Sequence, residues 1–254
     1  MLSAGLLILL VATGVFGGTI AGIGGPGGIP VLLILNLVLA FSPSVAAATA
    51  SSIFIVATVV ATGLYYYSDG IDWVLAAVVG IPALIGTHTG TAVSGALSSG
   101  RFESILGSVL ILSAVGIAYQ HRKGVSDGQS VVAMQSETAI YAVIALGSAS
   151  IGVLAGITGI GGPALTIPMM VLLGINPIVA IGAGLASGII ITINTTVGHL
   201  LRANAPALLP VAAIGIPYVI SQVLGWKYVH TVSERAISYS IAAVAVAGGL
   251  VFIA

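Results

Sequence analysis

Gly22-Ile-Gly-Gly-Pro26 recurs as Gly159-Ile-Gly-Gly-Pro163, and the reading of these two short stretches decides the fold. Each interrupts a hydrophobic run. An apolar segment of about 20 residues, enough to cross a bilayer, precedes each one. A shorter apolar segment follows, at 29–41 and 164–175. Glycine adds backbone freedom and proline removes an N–H donor, so neither cluster sustains a regular helix. Non-helical backbone at membrane depth leaves N–H and C=O groups unpaired, and it persists only where it is buried in protein or lines a polar cavity. Two such breaks, each followed by a short helix, are the sequence mark of a site built from discontinuous helices.

Composition puts the breaks in a membrane. The 254 residues are 58% hydrophobic and 5% charged, with a mean hydropathy of +1.23. A soluble domain carries about 25% charged residues to cover its surface. Six basic and six acidic side chains cannot do so here, and the surface must face lipid. Net charge is zero, so no field directs the chain to nucleic acid. Cysteine is absent, which excludes disulfides, thiolate metal sites and thiol catalysis. The reading is an all-α polytopic membrane protein, placed in the plasma membrane. Eight segments are long enough to span, starting near Leu2, Val45, Asp72, Phe102, Thr138, Pro177, Ala205 and Ala236. The two short segments are half-helices. The amino terminus reads as the first span, retained, because it lacks a basic n-region and a cleavage site. Tyr65, Tyr66, Tyr67, Trp73, Tyr119, Trp226 and Tyr228 flank polar breaks and suit an interfacial belt, with Arg101, Arg202, Lys227 and Arg235 as charged anchors.

Two homologous halves follow from matches in a common order. Gly80-Ile-Pro82 recurs as Gly215-Ile-Pro217, Gly90 falls on Gly225, Gly63 on Gly198 and Ser52 on Ser187. Residues 1–120 form the first half, 121–137 a polar linker and 138–254 the second half. Five crossings per half invert the repeats and four make them parallel, and inversion is the reading preferred. Lys and Arg divide too evenly between the loops to orient the chain.

The chemistry follows from what the breaks offer. A helix starting at a break directs free N–H groups and a positive dipole end inward, which suits an anion. The donors expected to line the site are Gly24, Gly25, Gly27 and Gly28 from the first break, with Gly161, Gly162 and Thr158 from the second. Ser51, Ser52, Ser187 and Asn194 add hydroxyls and an amide, and no Lys or Arg falls within a span. The bound species is a small anion held without a salt bridge, free to leave again. His88, inside a span, is the candidate for proton coupling, with His199 behind it. A sodium ion would have to rely on carbonyls and hydroxyls. No metal or cofactor is implied.

The pattern Gly-x-x-Gly-Ile-Gly-Gly-Pro, a Pro some five residues on, then Pro-x-x-Ala and a Ser/Thr-rich stretch, resembles the sulfite exporter TauE/SafE family. The copy at 156–186 carries it best and the copy at 22–52 has extra residues before Pro43. The Gly-Ile-Pro…Gly segments resemble the family's later helix in each half, so the resemblance spans nearly the whole chain. Pro26 and Pro163 stand where many members have a third glycine. The resemblance implies a secondary transporter, an exporter or an uptake permease, for sulfite, an organosulfonate or a related anion. A passive anion channel would use the same donors. An intramembrane serine protease would need Ser187 beside His88 or His199, yet Leu185 occupies the glycine place of that signature. Gly22-x-Gly-x-x-Gly27 fits a dinucleotide fingerprint, but a membrane-length helix precedes it and no acid follows where ribose would need one. No Walker motif is present, so this chain alone is not an ATP-driven pump.

Overall fold

The computed structural model describes residues 3–23, 25–68, 70–96, 137–229 and 231, with isolated helical positions between 100 and 115 and between 239 and 251. All regular structure among the described residues is helical. In chain order the helices are α1 (Ala4–Gly22), α2 (Gly28–Leu33, continued by a π-helical turn over Ile34–Val38), α3 (Pro43–Ser68), α4 (Trp73–Val93), α5 (Glu137–Thr158), α6 (Pro163–Leu172), α7 (Pro177–Leu200) and α8 (Leu208–Val229). Six of them, α1, α3, α4, α5, α7 and α8, are long and apolar enough to cross a membrane. The two short helices stand where the glycine-proline breaks place them, over Gly28–Val38 and Pro163–Leu172. The spans expected from Phe102 and Ala236, apart from isolated positions, and the linker at 121–136 lie outside the described residues. Arg101, Tyr119 and Arg235 lie outside them as well.

Local signals set the boundaries. The Ser3 side chain accepts from the Leu6 N–H at 3.2 Å to cap α1, and Asp72 accepts from the Leu75 N–H at 2.9 Å to cap α4. Asn176 caps α7 by accepting from the Ile178 N–H at 2.9 Å, with Pro177 in the first helical position, where its missing donor costs nothing. Arg202 closes the other end of α7 by donating to the Gly198 carbonyl at 2.8 Å.

The packing sorts the helices into inner and outer. In α3 and α7, 67% of the central window is buried, against 33% in α1. These two inner helices pack on one another, α1 packs on α8, and α4 packs on α5. Outward faces stay apolar: Ile8 is 68% exposed, Phe16 62% and Ile85 67%. A water-facing surface would not carry such side chains in rows, whereas lipid accepts them.

Small residues bring the outer pairs close. A β-carbon on Gly22 would stand 2.8 Å from Cα of Gly225, and one on Gly90 would stand 3.0 Å from Cα of Gly156. Gly156 meets Gly90 as Gly22 meets Gly225. Gly22 ends α1 inside a helix interface, while Gly159 lies past the end of α5 with φ +67°.

Candidate functional site

The two breaks meet. There is no room for a β-carbon between Gly28 and the carbonyl oxygen of Ile160, so the start of α2 touches the second break directly. Around this contact lies a small, partly open cavity of about 30 Å3. Gly25, Gly27 and Gly28 line it from the first break, and Ile160, Gly161, Pro163 and Ala164 from the second. Phe54, Ala57 and Thr58 of α3, Leu185 of α7, and Tyr218 and Gln222 of α8 complete most of the wall. The Phe54 and Tyr218 rings pack together, with centroids 5.5 Å apart and planes at 55°. Among the described residues, no charged side chain and no histidine lines the cavity.

Its polarity comes from backbone and from neutral side chains. Gly161 has φ +80° and Gly162 is right-handed helical, at φ −51°. A left-handed residue followed by a right-handed one gathers successive N–H groups into a concavity that suits an anion. The N–H groups of Gly161 and Gly162 donate no hydrogen bond among the described residues. The nearby Thr158 hydroxyl donates back to Leu154 O at 2.7 Å and accepts from the Ile160 N–H at 3.2 Å, which shapes the turn.

Of the residues expected to bind, Gly25, Gly27, Gly28 and Gly161 line the cavity. Gly24 lies outside the described residues. Gly162 and Thr158 adjoin the lining residues in the chain without lining the cavity themselves. The hydroxyls and the amide have other work. Ser51 donates to Ala47 O at 2.8 Å and accepts from the Thr196 hydroxyl at 2.9 Å, tying α3 to α7. Ser52 donates to Ala48 O at 2.7 Å, and the fully buried Ser187 to Gly184 O at 3.0 Å. Asn194 donates to Leu84 O at 3.2 Å and to the Thr87 hydroxyl, tying α7 to α4. His88 is exposed on α4, and the structure does not bring it to the cavity. His199 is buried, its Nε2 2.9 Å from Gly156 O. Neither histidine hydrogen-bonds Ser187, so the nucleophile–base contact that a serine protease needs is not formed among the described residues.

Phe54, Thr58, Tyr218 and Gln222 line the cavity without having been expected there. Gln222 carried a usable signal, because an amide within a membrane helix must find a purpose. The other three are ordinary membrane-helix residues, and only packing turns them inward.

A family model described as Sulfite exporter TauE/SafE matches residues 10–252. The chain belongs to that family. No curated protein and no solved structure matches it. Membership together with six membrane-length helices makes the chain a multi-pass integral membrane transporter of the TauE/SafE family, which is a family of transporters and not of enzymes.

Proposed function

We propose that this TauE/SafE member exports a small sulfur-containing anion, sulfite or an organosulfonate, across the plasma membrane, binding it in the cavity between the two breaks. The observation that carries the reading is the meeting of the breaks at Gly28 and Ile160, with both lining one cavity that no charged side chain lines among the described residues. The donors are backbone N–H groups at the second break and the start of α6, and the dipole of α6 adds positive potential there. An anion held without an ion pair is released readily, which transport requires.

Alternating access is the mechanism this arrangement supports best. The chain reads as two homologous halves, 1–120 and 138–254, in inverted orientation around the polar linker. The reading is supported by the pairing of α1 with α8 and of α4 with α5, and by the two glycine contacts in matching register. Rocking one half against the other would expose the cavity to each side in turn. Coupling to a proton through His88, or to sodium through carbonyls and hydroxyls, supplies the driving force. Ser51, Ser52, Ser187 and Asn194 act here as ties between and within helices that hold the cavity wall.

The test is thermal stabilisation of the purified protein by sulfite, thiosulfate, taurine, sulfoacetate, sulfate and chloride. A ligand at 100 times its dissociation constant stabilises by about 2.7 kcal/mol, a clear shift in midpoint. Selective stabilisation by a sulfur anion is expected, followed by flux of that anion into liposomes carrying the protein. Stabilisation by none of them would remove the substrate reading and leave the architecture. Flux that ignores imposed proton and sodium gradients would turn the transporter into a channel.

A further inference from the structure

Among the groups lining the cavity, Gln222 has a capacity that a bare anion does not use. The residue is 2% exposed, and its Oε1 is buried with no hydrogen-bond partner among the described residues. A buried amide oxygen without a donor is destabilising, so it favours a ligand that brings one. The oxygens of sulfite or sulfate are themselves acceptors and cannot satisfy it. Rotating the carboxamide exchanges its oxygen and nitrogen, but either orientation presents donors and an acceptor side by side. The aromatic pair Phe54 and Tyr218 lines the same cavity, and among the described residues no cationic side chain lines it to balance a second negative charge.

We infer that Gln222 selects a singly charged sulfur oxyanion that carries its own hydrogen-bond donor. The donor is accepted at the amide oxygen while backbone N–H groups at the breaks hold the negative charge. The inference rests on the anion-site reading above and narrows it. Hydrogensulfite, with a hydroxyl, meets the requirement, and so does a sulfonate bearing a hydroxyl on its tail. The sulfite and sulfate dianions meet neither half of it.

The experiment compares matched ligands on the purified full chain in oxygen-free, mildly acidic buffer, where hydrogensulfite predominates over its dianion. Hydrogensulfite is set against methanesulfinate, which keeps the charge and approximate shape but has a methyl group for the hydroxyl. Hydroxyethanesulfonate is set against ethanesulfonate in the same way. In at least one pair the donor-bearing member is expected to bind about tenfold tighter or more, and that pair identifies the source of the donor. Gln222→Met is expected to abolish the preference, weakening the donor-bearing member about tenfold more than the donor-free one. Equal binding within both pairs overturns the inference while the anion site stands, and this arm needs no variant to fold. Equal weakening of both members of the preferred pair by Gln222→Met also overturns it. Absence of binding by all four overturns the anion-site reading and the inference with it.

Discussion

Gly28, at the start of α2, lies against the carbonyl oxygen of Ile160 with no space between them for a β-carbon. Its other near neighbour is the Phe54 ring, with Cζ 3.1 Å from where that carbon would stand. The first break is thus fitted to the second through a single hydrogen atom, and the cavity opens beside that contact. Gly28→Ala should force the breaks apart. The cost is about 1–3 kcal/mol of stability if the strain is typical of overpacking. Sulfite stabilisation should be lost with it, and a thermal melt with and without the anion reads both. A variant that melts like the parent and still binds would show that the breaks need not touch.

Two glycine contacts of the same kind make an internal control. Gly22→Leu and Gly156→Leu each push a side chain into a facing helix backbone, that of α8 and that of α4. Neither helix can move aside without opening an outer pair, so both variants should fail to yield folded protein. Gly63, on α3, has nothing within 4 Å of its would-be β-carbon. Gly63→Ala should be tolerated and should gain up to about 1 kcal/mol from helix propensity. Size-exclusion profiles in detergent separate these outcomes, and a monodisperse Gly22→Leu protein would contradict the packing.

Asn194 ties α7 to α4 through the Thr87 hydroxyl and the Leu84 carbonyl. Polar contacts of this kind between membrane helices contribute about 0.6 kcal/mol on average and at most about 1.7 kcal/mol. Asn194→Leu and Thr87→Val should each lower stability by an amount in that range, and the double variant by less than their sum. Anion binding should survive all three, because neither residue lines the cavity. Loss of binding in Asn194→Leu with stability intact would move Asn194 from the scaffold to the path.

How much of this was legible in the sequence depends on which physical signal each feature leaves. Lipid as the solvent is written in composition, and the breaks are written in Gly and Pro, whose backbone effects are local. Boundaries such as Pro43, Asp72 and Asn176-Pro177 are legible for the same reason. The inward face of each span is not, since a helix that is apolar all round carries no periodic cue. Phe54, Thr58 and Tyr218 were therefore invisible as lining residues. Ser51 and Ser187, expected to bind, are not among the residues lining the cavity. A hydroxyl in a membrane helix satisfies itself on a carbonyl three or four residues back, so its presence does not signal a ligand. Two Gly-rich strings can be aligned in more than one register: the sequence sets Gly22 against Gly159, whereas the contacts with Gly225 and Gly90 set it against Gly156.

His88 is the place where sequence and structure pull apart most usefully. Its position within a span makes it a proton-coupling candidate, yet its side chain is exposed on α4 and does not line the cavity. Binding and coupling should accordingly separate. His88→Gln removes the titrating ring and keeps a hydrogen-bonding side chain, so sulfite should stabilise the variant as it does the parent. In liposomes, an imposed proton gradient should accelerate sulfite flux through the parent and leave flux through the variant unchanged. Equal acceleration of both proteins would take His88 out of the coupling step and place proton coupling elsewhere in the chain, whereas no acceleration of the parent would leave sodium, or no coupling ion.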